Sequence, residues 1–209
     1  MSQAALRRIA VLEPLTVFVL IMAYIWELRF RHHSLWVAIL LVLLLSHGLR
    51  KERAETLGFH VRNLRQCLDD FLPLLGFVGL TALATGFLLQ TTRPIRFSDA
   101  ILAFLGYLPW GTFQQYLLNG YFVNRLGRVM APRSASIASA ALFSGAHLPN
   151  WFLMVVTLLL GYYCACLYQR HKNLYFLGIA HATVGFLLFL VVPDSISHHL
   201  VVGPGWYGH

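Results

Sequence analysis

Seven apolar runs divide the chain: Ile9 to Trp26, Leu35 to Leu49, Phe71 to Leu89, Ile101 to Tyr121, Ser134 to His147, Phe152 to Tyr168 and Leu174 to Val192. A helix needs about 20 apolar residues, at ~1.5 Å each, to cross a bilayer core. The second and fifth runs are short for this, and are expected either to tilt little or to end inside protein. All seven are read as helices, because hydrocarbon leaves only helices and closed barrels with a satisfied backbone, and no ten-residue alternating pattern occurs. The stretch Lys51 to Leu68 is too polar to span. Its Leu57, Val61, Leu64 and Leu68 recur at helical spacing with Arg62 and Arg65 between them, which predicts an interfacial amphipathic helix on the inner leaflet. The fold class that follows is an all-α polytopic membrane protein with about seven transmembrane helices plus that interfacial helix.

Composition agrees with this reading. The chain of 209 residues is 58% hydrophobic and 11% charged, with a mean hydropathy of +0.65. Soluble domains carry roughly 25% charged residues, so this chain lacks the polar surface to cover a globule in water. Residues 1–209 form a single transmembrane domain with no room for a separate soluble catalytic domain, and 201–209 read as an outer tail rich in Gly and broken by Pro204. No cleavable signal peptide is expected, because the first run lacks a small-residue cleavage site before Glu27 and Arg29. The net charge of +8 does not point to nucleic acid, since cytoplasmic loops collect Lys and Arg. With the N-terminus inside, twelve Lys and Arg fall on inner segments and four, Arg29, Arg31, Arg93 and Arg96, on outer ones. That count favours a multi-pass protein with a cytoplasmic N-terminus and an external C-terminus; the membrane is expected to be a bacterial inner membrane. Cys67, Cys164 and Cys166 have no spacing typical of zinc or of a disulfide framework.

Polar residues inside apolar runs are costly and each is a candidate for function. Gln114, Gln115 and Asn119 lie on the fourth run, His147 ends the fifth and His181 sits in the seventh. Counted from the inner-face charges Arg125, Lys172 and Arg133, Gln115, His181 and His147 lie at depths of about 15, 13 and 21 Å, close enough to line one polar cavity. Small residues aid close approach: ten of the fourteen from Ser134 to His147 are Ser, Ala or Gly, and Gly178 and Gly185 flank His181. Pro109 is expected to kink the fourth helix before the Gln pair. Glu13, the only acidic residue well inside a run, is expected to pair with Arg8 at the interface. His198, His199 and His209 gather near the tail without fixed spacing.

At these positions the chain resembles the CPBP family, also called the Abi or CAAX prenyl endopeptidase family, of intramembrane proteases. That family is marked by Glu-Glu-x-x-x-Arg, then Phe-x-x-x-His, then His-x-x-x-Asn or Asp, on successive helices. Phe143-Ser-Gly-Ala-His147 matches the second motif, and His181 keeps the histidine of the third, with Gly185 where its polar partner stands. Gln114-Gln115-Tyr-Leu-Leu-Asn119 aligns with the first, with glutamines for both glutamates and asparagine for arginine. The resemblance spans about 101–192 as a CPBP-like core. It implies peptide-bond hydrolysis at membrane depth on a membrane-anchored or lipidated peptide, with Gln114, Gln115, His147 and His181 as catalytic residues and Asn119, Phe143 and Gly185 supporting. An amide has no useful basicity, and general-base action is typically worth about 10²–10⁴-fold. The three substitutions together turn an acidic site neutral, so the alternative is an inactive member that binds membrane peptides in a chaperone-like way. Two histidines with amides make a poor zinc set, so no metal is assigned and the cofactor is left unknown.

Overall fold

The computed structural model describes residues 3–208, with side chains from residue 10 onward. Seven main helices follow in chain order: α1 Gln3–Ala23, α2 Leu35–Leu49, α3 Leu64–Leu88, α4 Phe97–Gln115, α5 Pro132–Gly145, α6 Trp151–His171 and α7 Leu174–Val191. Helical backbone continues past α1 to Arg31 and past α4 to Leu126, in each case through a π-helical stretch, Tyr24–Leu28 and Tyr116–Val123. Four helices, 10–31, 64–88, 151–171 and 174–191, are long and apolar enough to cross a membrane, and α2 is a shorter apolar helix. Side chains such as Leu45, Phe77, Leu80 and Phe87 stand exposed, a surface suited to lipid as solvent.

The interfacial helix expected over 51–68 does not form as one element. Residues Ala54–Leu57 make a 3₁₀ turn, and Leu64 already opens α3. Gly58 ends the turn at φ 103°, a left-handed conformation that breaks helical continuity. Its carbonyl accepts from Leu174 N at 2.7 Å, while the Tyr168 hydroxyl donates to Leu57 O at 2.8 Å. Both carbonyls are turned toward the α6–α7 junction, and contact there wins over local periodicity. In α3, Cys67 and Phe71 turn inward and extend the helix into the stretch read as interfacial.

Local chemistry sets the helix starts around the site. Pro132 opens α5, where a missing N–H costs nothing. Asn150 caps α6 by accepting from Leu153 N at 3.1 Å, and Asn173 caps α7 by accepting from Phe176 N at 2.9 Å. Helix α4 packs along α7, α5 along α6, and α3 on α7. The α4–α7 contact is close because Gly178 faces Thr112: a Cβ at 178 would sit 2.9 Å from Thr112 Cα and 2.2 Å from its Oγ1. Backbone cannot step aside as a flexible side chain can. Gly178→Ala is therefore expected to lower stability by about 1–3 kcal/mol, measured as a fall in melting temperature in detergent; an unchanged melting temperature would mean that α7 slides freely on α4.

Candidate active site

The α4–α7 packing brings His181 against the first motif. Gln115 Nε2 donates to His181 Nδ1 at 3.0 Å, and Asn119 Nδ2, one helical turn on, donates to Gln115 Oε1 at 2.7 Å. With Nδ1 accepting, His181 carries its proton on Nε2, which donates to the Tyr107 hydroxyl oxygen at 3.2 Å. Asn119 is fully buried, and its Oδ1 has no partner among the described residues.

His147 arrives from the other side. It follows α5 by two residues, and its Nδ1–H donates to Phe143 O at 2.8 Å, which leaves the Nε2 lone pair unused by that bond. The Phe143 ring lies between the two imidazoles, with centroids 5.0 Å from His147 and 6.2 Å from His181. Gln114, Gln115, His147, His181, Phe143 and Gly185 all line one cavity of about 270 Å³. Most of the other lining side chains, among them Phe18, Ile21, Leu142, Leu153 and Leu188, are apolar. The expected polar cavity is thus an apolar chamber with a few convergent polar groups, as small-molecule and peptide sites generally are. Gln114 is 9% exposed, and its Oε1 is buried without a partner among the described residues.

Among the described residues no Asp or Glu lines the cavity. Among the described residues no group of three or more His, Cys, Asp and Glu could hold a metal, and two neutral imidazoles beside amides do not fit zinc, which prefers a charge-neutralising ligand. His198 lies tilted against Trp206 with 3.6 Å between ring centroids and His199 pairs with Asp194 at 3.0 Å, while His209 lies outside the described residues. The tail meets the cavity: Leu200 and Val202 contribute to its wall. Asn150 Nδ2 holds the tail by donating to Ser197 O at 2.9 Å and Val201 O at 3.1 Å, and Gly203 N donates to Leu148 O at 2.8 Å.

Two groups escaped the sequence reading. Tyr107, a phenol in an aromatic-rich helix, gave no signal that set it apart. The other is an ionic cluster around Arg125, which is fully buried although it was counted as an inner-loop charge. Arg125 Nε donates to Glu13 Oε1 at 3.1 Å, and its Nη1 and Nη2 donate to the two Glu52 oxygens at 2.9 and 2.8 Å. Glu13 also accepts from Tyr121, Ser46 and Arg50; the Arg8 side chain expected beside it lies outside the described residues. Burial alone would raise the Glu52 pKa, but hydrogen bonds from Arg125 and His47 outweigh it and hold the carboxyl at about 2. The cluster joins α1, α2 and the end of the π-helical stretch below the site.

Residues 96–187 match the family model described as type II CAAX prenyl endopeptidase Rce1-like, a stretch that contains every motif residue named above. No curated protein and no solved structure matches the chain.

Proposed function

We propose that the chain, whose residues 96–187 match the type II CAAX prenyl endopeptidase Rce1-like model, belongs to the CPBP/CAAX protease family and is an intramembrane endopeptidase with a neutral site, acting on membrane-associated or lipidated peptides that reach the cavity laterally. The N-terminus is taken to be cytoplasmic and the C-terminus external, on the charge count, and the membrane is taken to be a bacterial inner membrane. The observation that carries the reading is the convergence of His147, His181, Gln114 and Gln115 on one largely apolar cavity. Such walls suit a lipidated or apolar peptide, and the few polar groups supply orientation.

His147 is the base that the geometry favours. Its Nδ1–H is engaged by Phe143 O, so Nε2 can take a proton from water while the hydroxide adds to the scissile carbonyl carbon. The unpartnered Gln114 Oε1 is available to accept from that water and orient it. On collapse of the tetrahedral intermediate the C–N bond breaks, and the His147 imidazolium returns its proton to the departing amine. His181, whose Nδ1 accepts from Gln115, stays neutral and orders the polar wall of the cavity through its Nε2–H bond to Tyr107. No step requires a carboxylate.

The test is cleavage of a farnesylated peptide ending in a CAAX sequence by protein in proteoliposomes, beside the double variant Gln114→Glu, Gln115→Glu. Native protein is expected to cleave. If it is inert while the double variant cleaves, the cavity is a peptide-binding groove that lost its chemistry, and the hydrolase reading is withdrawn.

A further inference from the structure

We infer that Tyr107 is a further catalytic residue, whose hydroxyl stands in for the polar side chain absent at position 185 and donates to the substrate carbonyl oxygen as charge develops on it. The inference rests on the hydrolase reading for its substrate. Its geometry is independent of that reading.

Position 185 lies one helical turn after His181, where the family motif carries Asn or Asp. A Cβ built on Gly185 would lie 2.7 Å from Tyr107 Cε1, 3.0 Å from its Oη and 3.2 Å from its Cζ. The phenol therefore occupies the volume a side chain at 185 would need, and the two arrangements are mutually exclusive. The ring enters that space from α4, tilted against the His181 imidazole with 6.0 Å between centroids. Its oxygen accepts from His181 Nε2, and Tyr107 makes no other side-chain hydrogen bond among the described residues. The hydroxyl proton is thus free to donate, and Tyr107 and His181 both line the cavity.

The chain of bonds has one direction throughout. Asn119 donates to Gln115, Gln115 to His181 and His181 to Tyr107. Each donation polarises the next group and makes the terminal O–H a better donor, with no net charge introduced into an apolar chamber. A neutral relay of this kind is what a site without glutamate or arginine can build. Tyr107 moves no electron pair itself: hydroxide from the His147 step forms the new C–O bond, the carbonyl π pair goes to oxygen, and the Tyr107 O–H hydrogen-bonds to that oxyanion until the amine leaves.

Tyr107→Phe retains the ring that fills the space beside Gly185 and removes only the donor. Its kcat on the farnesylated peptide is expected to fall about 10²–10³-fold, the cost typical of one lost oxyanion donor, with KM changed by no more than about 2-fold. A second readout does not need turnover: native protein should bind the phosphinate isostere of that peptide, a tetrahedral anion, more tightly than the parent peptide, and Tyr107→Phe should lose that preference. Gly185→Ala, which keeps the hydroxyl but displaces it, should lower kcat in the same way, and Tyr107→Ala with Gly185→Asn should regain cleavage over Tyr107→Ala alone. Native kcat in Tyr107→Phe, or no phosphinate preference in native protein, overturns the role of Tyr107 and leaves the hydrolase reading intact. A native protein that binds the phosphinate preferentially without cleaving sinks hydrolysis and keeps Tyr107.

Discussion

His147→Ala is expected to reduce cleavage of the farnesylated peptide by about 10²–10⁴-fold, the full worth of a general base. The side chain makes one hydrogen bond, to Phe143 O, and packs on the Phe143 ring. Removing it leaves the helix cap at Asn150 and the α5–α6 contact untouched, so the melting temperature should change little. The loss should therefore appear in kcat, and the pH–rate profile should lose the limb contributed by the base. His181→Ala breaks a bond to Gln115 and a bond to Tyr107 together, and its effect should divide between rate and stability. Equal cleavage by native protein and both alanine variants would remove the roles assigned to the two histidines.

Arg125→Met should cost about 3–5 kcal/mol of stability, the typical penalty for withdrawing one partner from a buried ion pair. Arg125 is 0% exposed, while the Glu13 and Glu52 side chains are 18% and 14% exposed. Arg50 remains on Glu13 and Arg128 on Glu52, but each holds one carboxylate alone, and the two would lose the guanidinium that lies between them. A large fall in melting temperature in detergent is the expected reading. Combining Arg125→Met with Glu13→Gln and Glu52→Gln should recover much of it, because the cost lies in stranded charge and not in lost attraction. The pH dependence has a defined sign. Glu52 is lowered to about 2 from an ordinary 4.5, so its stabilising share is complete above about 4.5 and is lost as pH falls from there through about 2. If Arg125→Met melts with native protein, the cluster does not hold α1 and α2 to the core.

Seven helices were legible because an apolar helix is written in local hydropathy, although only four of the helices are long and apolar enough to cross a membrane; the short second and fifth runs appear as α2 and α5 of 15 and 14 residues. The motif residues were legible as a set, since polar groups in an apolar run stand out against their cost. The Arg125 cluster was not legible. Glu13 and Arg125 are 112 residues apart, and a charge near a helix end looks the same in sequence whether it faces water or a buried carboxylate. Gly185 was read as a small residue that aids close approach beside His181, and only the position of Tyr107 shows what fills the space next to it.

Hydropathy and motif order by themselves pointed to the apolar all-helical architecture, the family resemblance and the four residues Gln114, Gln115, His147 and His181 as candidates. Tertiary structure decided which of them touch. Successive residues on a helix point about 100° apart, so adjacent glutamines face different neighbours, and the rotation of α4 against α7 puts Gln115 on His181 and leaves Gln114 Oε1 unpartnered in the cavity wall. That rotation is set by contacts such as Gly178 on Thr112, between residues far apart in the chain, which no local pattern encodes.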